Sequence, residues 1–573
     1  MPESGRRADN APWLQFYPAG VPHDVRIPDA LLYSLLDDAA RAYGGRTALV
    51  FFGRRVSYGA LRRAVDRFAA GLRDLGVSPG DRVALVLPNC PQFVVTFFAA
   101  LRIGAVAVPV GPQLSERELR HQLADSGAVA AVVVEGALPK VRPVLRHTAL
   151  KHVISTSLDE ALPIRLRLVL RLPLARSRAA RRRFSPGVPR GLDTIPWHEV
   201  ARHAPLGEAA GEPAPARPDD MAVLQYTGGT TGAPKGVVLT HRNLLANAHQ
   251  VEAWHAPLRG KRETTLAVLP FSHVYGLTLS LGAGILNGAR TVLLPAPDTG
   301  RLLRAARRWK PTLLHATPPV FEDLLARPPR ELEALRTLRG CVSGALRLSP
   351  DAVSRFGEVG RARLVESYGL TEAAPVVLVN PLNANARPGT VGIPLPGTEI
   401  RITREDDPAT DAGPGEAGEL LVRGPQVFAG YWNDPRATAG RLRDGWLRTG
   451  DIAVMSPDGF VTLIDRSVDV IHMAGAQVFP SEIERVLCEH PAVREAAVIG
   501  APNPADRGLG QVVRAVVVME GGQAVSRSAL IEHCAARLPA YKVPALMEFR
   551  GSSLPRGQVG KMLRRELRET PPA

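Results

Sequence analysis

The chain has 573 residues, of which 45% are hydrophobic and 22% charged, and a formal net charge of +16. That length exceeds what one hydrophobic core supports, so two or three domains are expected, and the balanced composition excludes a disordered or fibrous chain. No run approaches the roughly twenty apolar residues of a membrane-spanning helix. The start, MPESGRRADNAPW, lacks the apolar stretch of a signal peptide. Cys90, Cys341, Cys488 and Cys534 have neither metal-ligand nor redox-pair spacing. The expectation is a cytoplasmic globular protein without zinc or a structural disulfide.

In chain order, TALVFF, RVALVLP, AVAVPV and AVAAVVV read as buried strands. ALRRAVDRFAAGLRDLG and PQFVVTFFAALRIG read as helices with one strong apolar face. Ser78-Pro79-Gly80-Asp81 is a turn signal between a helix and a strand. Strand and helix in alternation predict an α/β chain with layers around mostly parallel sheets.

Residues 155–220 are rich in arginine, proline and alanine and read as an irregular insertion. Within it, 161–190 carries nine arginines (Arg165, Arg167, Arg171, Arg176, Arg178, Arg181, Arg182, Arg183 and Arg190) and no acidic residue. LPIRLRLVLRLPL interleaves these with leucine, which suits either a solvated insertion or peripheral contact with an anionic inner membrane surface. Stacking aromatics are missing apart from Phe184, so no nucleic-acid partner is expected.

The most informative stretch follows, YTGGTTGAPKGVVLTHRN at 226–243. Thr227, Gly228, Gly229, Thr230, Thr231, Gly232 and Lys235 lie between two strand-like runs. Glycines let backbone N–H groups close on an anion, threonine hydroxyls add neutral donors, and lysine supplies a compact charge. A polyphosphate cradle is predicted, distinct from the P-loop, which needs Gly-Lys-Ser/Thr entering a helix. The chain has 71 Lys and Arg, but only seven are lysines: Lys140, Lys151, Lys235, Lys261, Lys310, Lys542 and Lys561. Lys235 and Lys561, each inside a glycine-rich segment, therefore mark sites where an ammonium is required and a guanidinium will not serve.

Three more clusters join the loop. ESYGLTEAAP places Thr371 and Glu372 after Gly369, a hydroxyl for phosphate and a carboxylate for magnesium. DGWLRTGD ends in Asp451, suited to ribose hydroxyls, and IDR follows with Arg466. LPRGQVGK brings Lys561. Upstream of residue 466 the texture is short strands joined by Gly/Pro/Asp turns. Downstream, SEIERVLCEH, REAAVIG, VVRAVVVME and SALIEHCAARL read as a compact mixture of about a hundred residues. A linker is placed at Asp465-Arg466-Ser467-Val468.

In this order and spacing the clusters resemble the adenylate-forming superfamily of acyl-CoA synthetases, luciferases and peptide-synthetase adenylation domains, over about residues 30–568. LPNCPQFVVTFFAALRIGAVAVPVGP, LPFSHVYGLT and DGWLRTGDIAVMSPDGFVTLIDR are most similar to medium- and long-chain fatty-acyl-CoA synthetases. The resemblance implies an N-terminal extension (1–29), a large adenylation domain (30–466) with a β-rich subdomain, and a small mobile α+β C-terminal domain (467–573).

It also implies a two-step reaction. A carboxylate attacks the α-phosphate of Mg-ATP to give an acyl-adenylate and pyrophosphate, and a thiol, usually that of coenzyme A, then displaces AMP. Two other roles are a ligase loading an acyl carrier protein, and a non-catalytic adenylate-binding protein. The presence of both Lys235 and Lys561 argues against the second of these.

Carried over residue by residue, Thr227 to Gly232 with Lys235 hold the β- and γ-phosphates. Glu372 binds magnesium, Thr371 the α-phosphate, Asp451 the ribose, and Arg466 the ribose or phosphate near the hinge. Gly344, Ala345, Ser367, Tyr368 and Gly369 belong to the adenine side. His273 stands beside the carboxylate and acyl chain. Gly475 lines the pantetheine path, and Lys561 bridges carboxylate and α-phosphate in the first step. The chain departs from the family's pattern at Leu346 and Arg347, where Ala-Pro is usual, and at Val468, where the hinge usually carries Asp or Lys.

Overall fold

The β-branched and leucine-rich runs form the strands their composition predicts, at Thr47–Phe51, Arg82–Val86, Val106–Val110 and Ala130–Val134. The two amphipathic runs form helices at Tyr58–Asp74 and Pro91–Arg102. Ser57 caps the first by accepting from the Ala60 N–H, and Pro91 opens the second, where a missing N–H leaves no helical bond unmade. At the predicted turn the Asp81 N–H donates to the Ser78 carbonyl at 3.1 Å, and Gly80 adopts φ 81°. The computed structural model describes residues 11–203, 216–227, 234–258, 260, 262–359, 362–404, 407–473, 476–502, 511–521, 523, 525–557 and 560–569.

The chain divides into two compact units. The larger takes in Met1–Thr227, Pro234–Glu399 and Arg423–Leu447, and is built on two sheets. One has nine strands, parallel from Thr47–Phe51 through Arg290–Leu293, Thr264–Ala267, Leu313–Ala316 and Gly340–Ser343 to Arg363–Gly369, with antiparallel strands at both edges. The other has eight, parallel from Met221–Tyr226 outward to Ile195–Pro196 and closed on its other side by Gly236–Thr240 and Gly430–Tyr431, both antiparallel. Strands buried on both faces explain the near-continuous apolar runs.

The smaller unit takes in Ile400–Val422 and Arg448–Ala573. Strand Val461–Arg466 pairs antiparallel with Trp446–Met455 in the register Asp451↔Arg466, so Asp465 and Arg466 end a strand where a linker was expected. Farther on, Val493–Pro502, Gln511–Met519 and Leu546–Arg550 form a three-stranded sheet. Helices Pro480–Cys488 and Arg527–Ala535 supply Ile483, Leu487, Leu530 and Cys534 to its core.

The insertion also differs from expectation, because its central part is helical. Ile164–Arg171 and Ala175–Phe184 are helices, and Trp197–Val200 adds a short turn of helix. Leucine and arginine are good helix formers, and Pro163 and Pro173 set the limits of the first segment.

In the larger unit helix His241–His255 begins with a reciprocal cap. Thr240 Oγ1 accepts from the Asn243 N–H, and Asn243 Oδ1 from the Thr240 N–H. A row of buried amides then runs down one side. Asn243 donates to the carbonyls of Pro425 and Val427, Asn247 exchanges two bonds with the backbone of Val376, and Gln250 donates to the Pro396 carbonyl. Asn247 is fully buried, so Asn247→Ala strands both peptide groups of Val376 and is expected to destabilise the larger unit by about 2–4 kcal/mol. Urea unfolding with an unchanged midpoint would contradict this.

Candidate active site

The base of the glycine-threonine loop is a closed clasp. The Thr227 N–H donates to the Lys235 carbonyl at 3.0 Å, and the Lys235 N–H donates to Thr227 Oγ1 at 3.3 Å. His121 Nε2 lies 2.7 Å from the Pro234 carbonyl oxygen. Beside the clasp the Tyr226 hydroxyl donates to Asp125 at 2.6 Å, and the Trp432 indole N–H donates to the Asp125 carbonyl at 3.0 Å. Gly228, Gly229, Thr230, Thr231 and Gly232, which the clasp brackets, lie outside the described residues, as does Gly475.

Lys235 extends half-exposed from the clasp. Its ammonium lies 3.4 Å from Asp434 and 5.1 Å from the centre of the Tyr431 ring. The hydroxyl of the same tyrosine donates to Glu372 Oε1 at 2.7 Å. Tyr431 thus stands between the predicted phosphate-binding lysine and the predicted magnesium carboxylate, one through its π face and the other through its hydroxyl. Burial, with the Glu372 charge second, pushes the Tyr431 phenol well above its ordinary range, so it stays a donor. Pairing of Gly430–Tyr431 with Val237–Val238 fixes this position, as does the 2.8 Å bond from the Phe428 N–H to the Glu372 carbonyl. The sequence reading missed Tyr431 and Asp434. Their signal was an aromatic pair inside a turn-rich run, Gly430-Tyr431-Trp432-Asn433-Asp434.

Gly369 ends strand Arg363–Gly369 with no room for a side chain, since a Cβ there would lie 2.2 Å from the Pro375 carbonyl oxygen. The turn Thr371–Ala373 follows and presents Thr371 and Glu372, both part-exposed. One carboxylate and a hydroxyl suit magnesium, which takes one or two carboxylates and fills its octahedron with phosphate and water oxygens. Among the described residues no group of three or more His, Cys, Asp or Glu forms an all-protein cage.

On the predicted adenine side Ser367 Oγ donates to the Ser343 carbonyl at 3.0 Å. Gly344 lies so close to the Tyr275 and Ser367 hydroxyls that a Cβ would stand 2.6 and 2.8 Å from them. Tyr368 is buried, and Ala345 adopts the left-handed φ of 73°. The unusual Leu346-Arg347 pair is braced from behind. Glu366, its carboxyl pushed up by burial, accepts from the N–H groups of Leu348 (3.4 Å) and Gly389 (2.9 Å), with the Arg347 charge pulling the other way.

His273 caps the turn Val274–Gly276. Its Nδ1 accepts from the Tyr275 N–H at 3.2 Å, which places the ring proton on Nε2. A π-helical turn, Leu277–Gly282, continues from there, and Thr278 Oγ1 donates to the Ala374 carbonyl at 2.8 Å, tying the His273 segment to the Glu372 turn.

The smaller unit carries the remaining candidates as one charged cluster. Asp451, buried, pairs with Arg466 Nε at 3.1 Å across the strand register. Asp469, also buried, accepts from Arg564 at 3.1 Å and Arg568 at 2.6 Å. Arg564 reaches Glu484 as well, at 2.8 Å. Lys561 follows a turn in which the Gly557 N–H donates to the Lys561 carbonyl at 2.7 Å and Gly560 has φ 83°. Burial first, and the Arg466 charge second, pull the Lys561 ammonium down to about 7, against the upward pull of Asp451 and Asp469.

The AMP-binding enzyme model matches residues 36–432 and the AMP-binding enzyme C-terminal domain model matches 482–561. The chain belongs to the AMP-binding enzyme family.

Among its relatives, the long-chain-fatty-acid–CoA ligase of Bacillus subtilis is 37% identical over 97% of this chain and 98% of its own length. That of Salmonella typhimurium is 37% identical with the same coverage. Among solved structures, ATP-bound MatB from Rhodopseudomonas palustris superposes with a TM-score of 0.80 at 26% identity, covering 95% of this chain and 99% of its own. The o-succinylbenzoate coenzyme A synthetase of Bacillus subtilis in complex with AMP gives 0.77 at 27%, covering 95% and 100%.

Two outcomes are expected from this geometry. Tyr431→Phe, which keeps the ring but removes the bond to Glu372, raises KM for Mg-ATP roughly 10-fold or more without unfolding the protein; an unchanged KM would remove the tyrosine from the site. Lys561→Met tests the buried ammonium. A lysine whose pKa falls from near 10.4 unfolded to about 7 folded opposes folding in full below pH 7, and this opposition fades as pH rises toward the unfolded value. The variant therefore melts about 2–4 °C above the parent at pH 6–7, with the gap closing by about pH 10. A gap that widened with pH would contradict the assignment.

Proposed function

We propose that this chain is an AMP-forming fatty-acid–CoA ligase acting on medium- or long-chain acids. The acid's carboxylate oxygen attacks the α-phosphorus of ATP, and pyrophosphate leaves. The thiolate of coenzyme A then attacks the carbonyl carbon of the acyl-adenylate and AMP leaves. The observation that carries the reading is the Lys235–Tyr431–Glu372 assembly, in a chain aligned over 97% of its length with fatty-acid–CoA ligases.

No covalent enzyme intermediate is needed, so the side chains position groups and neutralise charge. Lys235, with the loop from Thr227 to Gly232, holds the β- and γ-phosphates, and Asp434 steers the lysine from its other side. Thr371 hydrogen-bonds the α-phosphate. Glu372, oriented by Tyr431, holds magnesium, which when bound offsets phosphate charge. The backbone from Gly344 to Ala345 and from Ser367 to Gly369 packs on adenine, where the tight fit around Gly344 leaves a flat wall. Asp451 takes the ribose hydroxyls and Arg466 holds Asp451 in place. His273, with its proton on Nε2, donates toward the carboxylate, and the apolar π-helical turn beside it borders the acyl chain. Gly475 lines the path of the pantetheine arm.

Lys561 carries the charge that forms between carboxylate and α-phosphate in the first step. Its low pKa in the present arrangement means that the ammonium must gain water or an anion to act. The anionic carboxylate and phosphate supply that partner and restore full protonation.

Mass spectrometry after incubation with Mg-ATP, coenzyme A and a panel of fatty and aryl acids tests the assignment. Acyl-CoA is the expected product. Acyl-adenylate without thioester would move the acceptor to a carrier-protein thiol, and neither product would overturn the reading. Lys561→Ala is expected to slow adenylate formation about 100-fold or more while leaving conversion of preformed acyl-adenylate to acyl-CoA largely intact. Equal loss of both half-reactions would remove its first-step role.

A further inference from the structure

Ten large apolar side chains are exposed among the described residues, and six of them, Ile164, Leu166, Leu168, Val169, Leu172 and Leu174, fall within eleven consecutive positions of the insertion. Ile164 is 73% exposed, Leu168 58% and Leu174 57%. Ile164 and Leu168 are four residues apart on helix Ile164–Arg171 and share a face, and Leu172 extends the same stripe. A loosely solvated insertion gives no reason for such a concentration, since scattered single apolar residues are the rule at protein surfaces.

The two helices are also anchored, so they do not turn these side chains inward. Leu170 and Ser177 are buried beneath them. Phe184, at the end of helix Ala175–Phe184, packs edge-on against Phe52 with ring centres 5.3 Å apart. Glu135 accepts from Ser185 Oγ at 3.2 Å and from the Gly187 N–H at 2.7 Å. On the other side Arg54 donates to the Glu160 carbonyl at 3.0 Å.

The same anchoring gathers positive charge. Arg165, Arg171, Arg176, Arg178, Arg181, Arg182 and Arg183 are all exposed on the insertion. The Phe52–Gly53 tip continues the basic surface, with Arg301 lying 5.5 Å over the Phe52 ring and Arg308 beside Gly53. No acidic side chain occurs between 161 and 190.

We propose that this hairpin docks the protein on an anionic bilayer. Ile164, Leu168, Leu172 and Leu174 enter the headgroup–acyl boundary, and the arginines of Ala175–Phe184 bind lipid phosphates. An apolar stripe flanked by exposed arginines is the chemistry of an interfacial anchor, and each arginine near an anionic surface adds to its retention. Among the described residues no helix is long and apolar enough to cross a membrane, so contact is from one side. The proposal rests on the reading of the chain as a fatty-acid ligase in one respect: a long-chain acid partitions into bilayers, and docking places the enzyme at its source.

Cosedimentation of the full-length protein with vesicles tests it, using phosphatidylglycerol–phosphatidylcholine mixtures against pure phosphatidylcholine. One variant carries Ile164→Ser, Leu168→Ser, Leu172→Ser and Leu174→Ser, and the other carries Arg181→Gln, Arg182→Gln and Arg183→Gln. The parent is expected to sediment with the anionic vesicles only, and each variant to lose roughly 10-fold or more of that binding. Raising the salt to about 0.5 M should release the parent.

Pyrophosphate release with a monomeric acid should match the parent in both variants, which shows that they fold. A parent that stays in the supernatant overturns docking, as do variants that sediment like the parent, or binding to a polynucleotide in place of vesicles. A parent that binds vesicles but forms no adenylate supports docking and removes the ligase reading instead.

Discussion

The larger unit depends on the buried amide row of helix His241–His255. Asn243, Asn247 and Gln250 lie at positions that share a helix face, and each spends its amide on backbone groups of a different segment. Those segments carry the site. Val427 precedes Tyr431 by four residues, and Val376 follows Glu372 by four. A side-chain amide can satisfy a peptide group in a dry interior where no strand is available to do so. The segments on either side of the Glu372–Tyr431 bond are therefore tied to one helix as well as to their own neighbours.

Charge in both units is arranged before any ligand arrives. In the larger unit the ammonium of Lys235 lies between Asp434 and the face of Tyr431, whose hydroxyl holds a carboxylate. In the smaller unit Asp451 and Asp469 are each matched by arginine, and Lys561 is set among them, where burial outweighs the pull of the two carboxylates on its pKa. A reaction that passes only through charged phosphate and carboxylate states is served by fixed charges that need not reorganise.

Arginine and lysine divide this work by chemistry. Arginine supplies the planar, always-charged partner in the fixed pairs Arg466–Asp451, Arg564–Glu484 and Arg448–Glu419. Lys561 stands where the charge responds to its surroundings. The surplus of arginine is gathered on a two-helix insertion whose apolar side chains face water, so the net charge of +16 is a property of one surface more than of the fold.

By itself the sequence determined the α/β class, the buried strands and the residue types of the site, because apolar periodicity, turn chemistry and glycine-threonine-lysine spacing are local properties. Lys235, Glu372, Asp451 and Lys561 were singled out from such patterns, read together through the family resemblance. The tertiary structure alone decided what depends on distant segments meeting. Tyr431 could not be assigned from its turn-rich neighbourhood, since its role comes from pairing with Val237 and bonding Glu372, 59 residues earlier. The pairing of Arg466 with Asp451 across two strands was likewise invisible in the sequence, because it depends on segments that meet only in the fold. The insertion read as irregular because its prolines and arginines carry no core-facing period; its helices form on a few remote anchors, Phe52 and Glu135 among them. A residue's type fixes the chemistry it can offer, and only the fold fixes the partner that makes use of it.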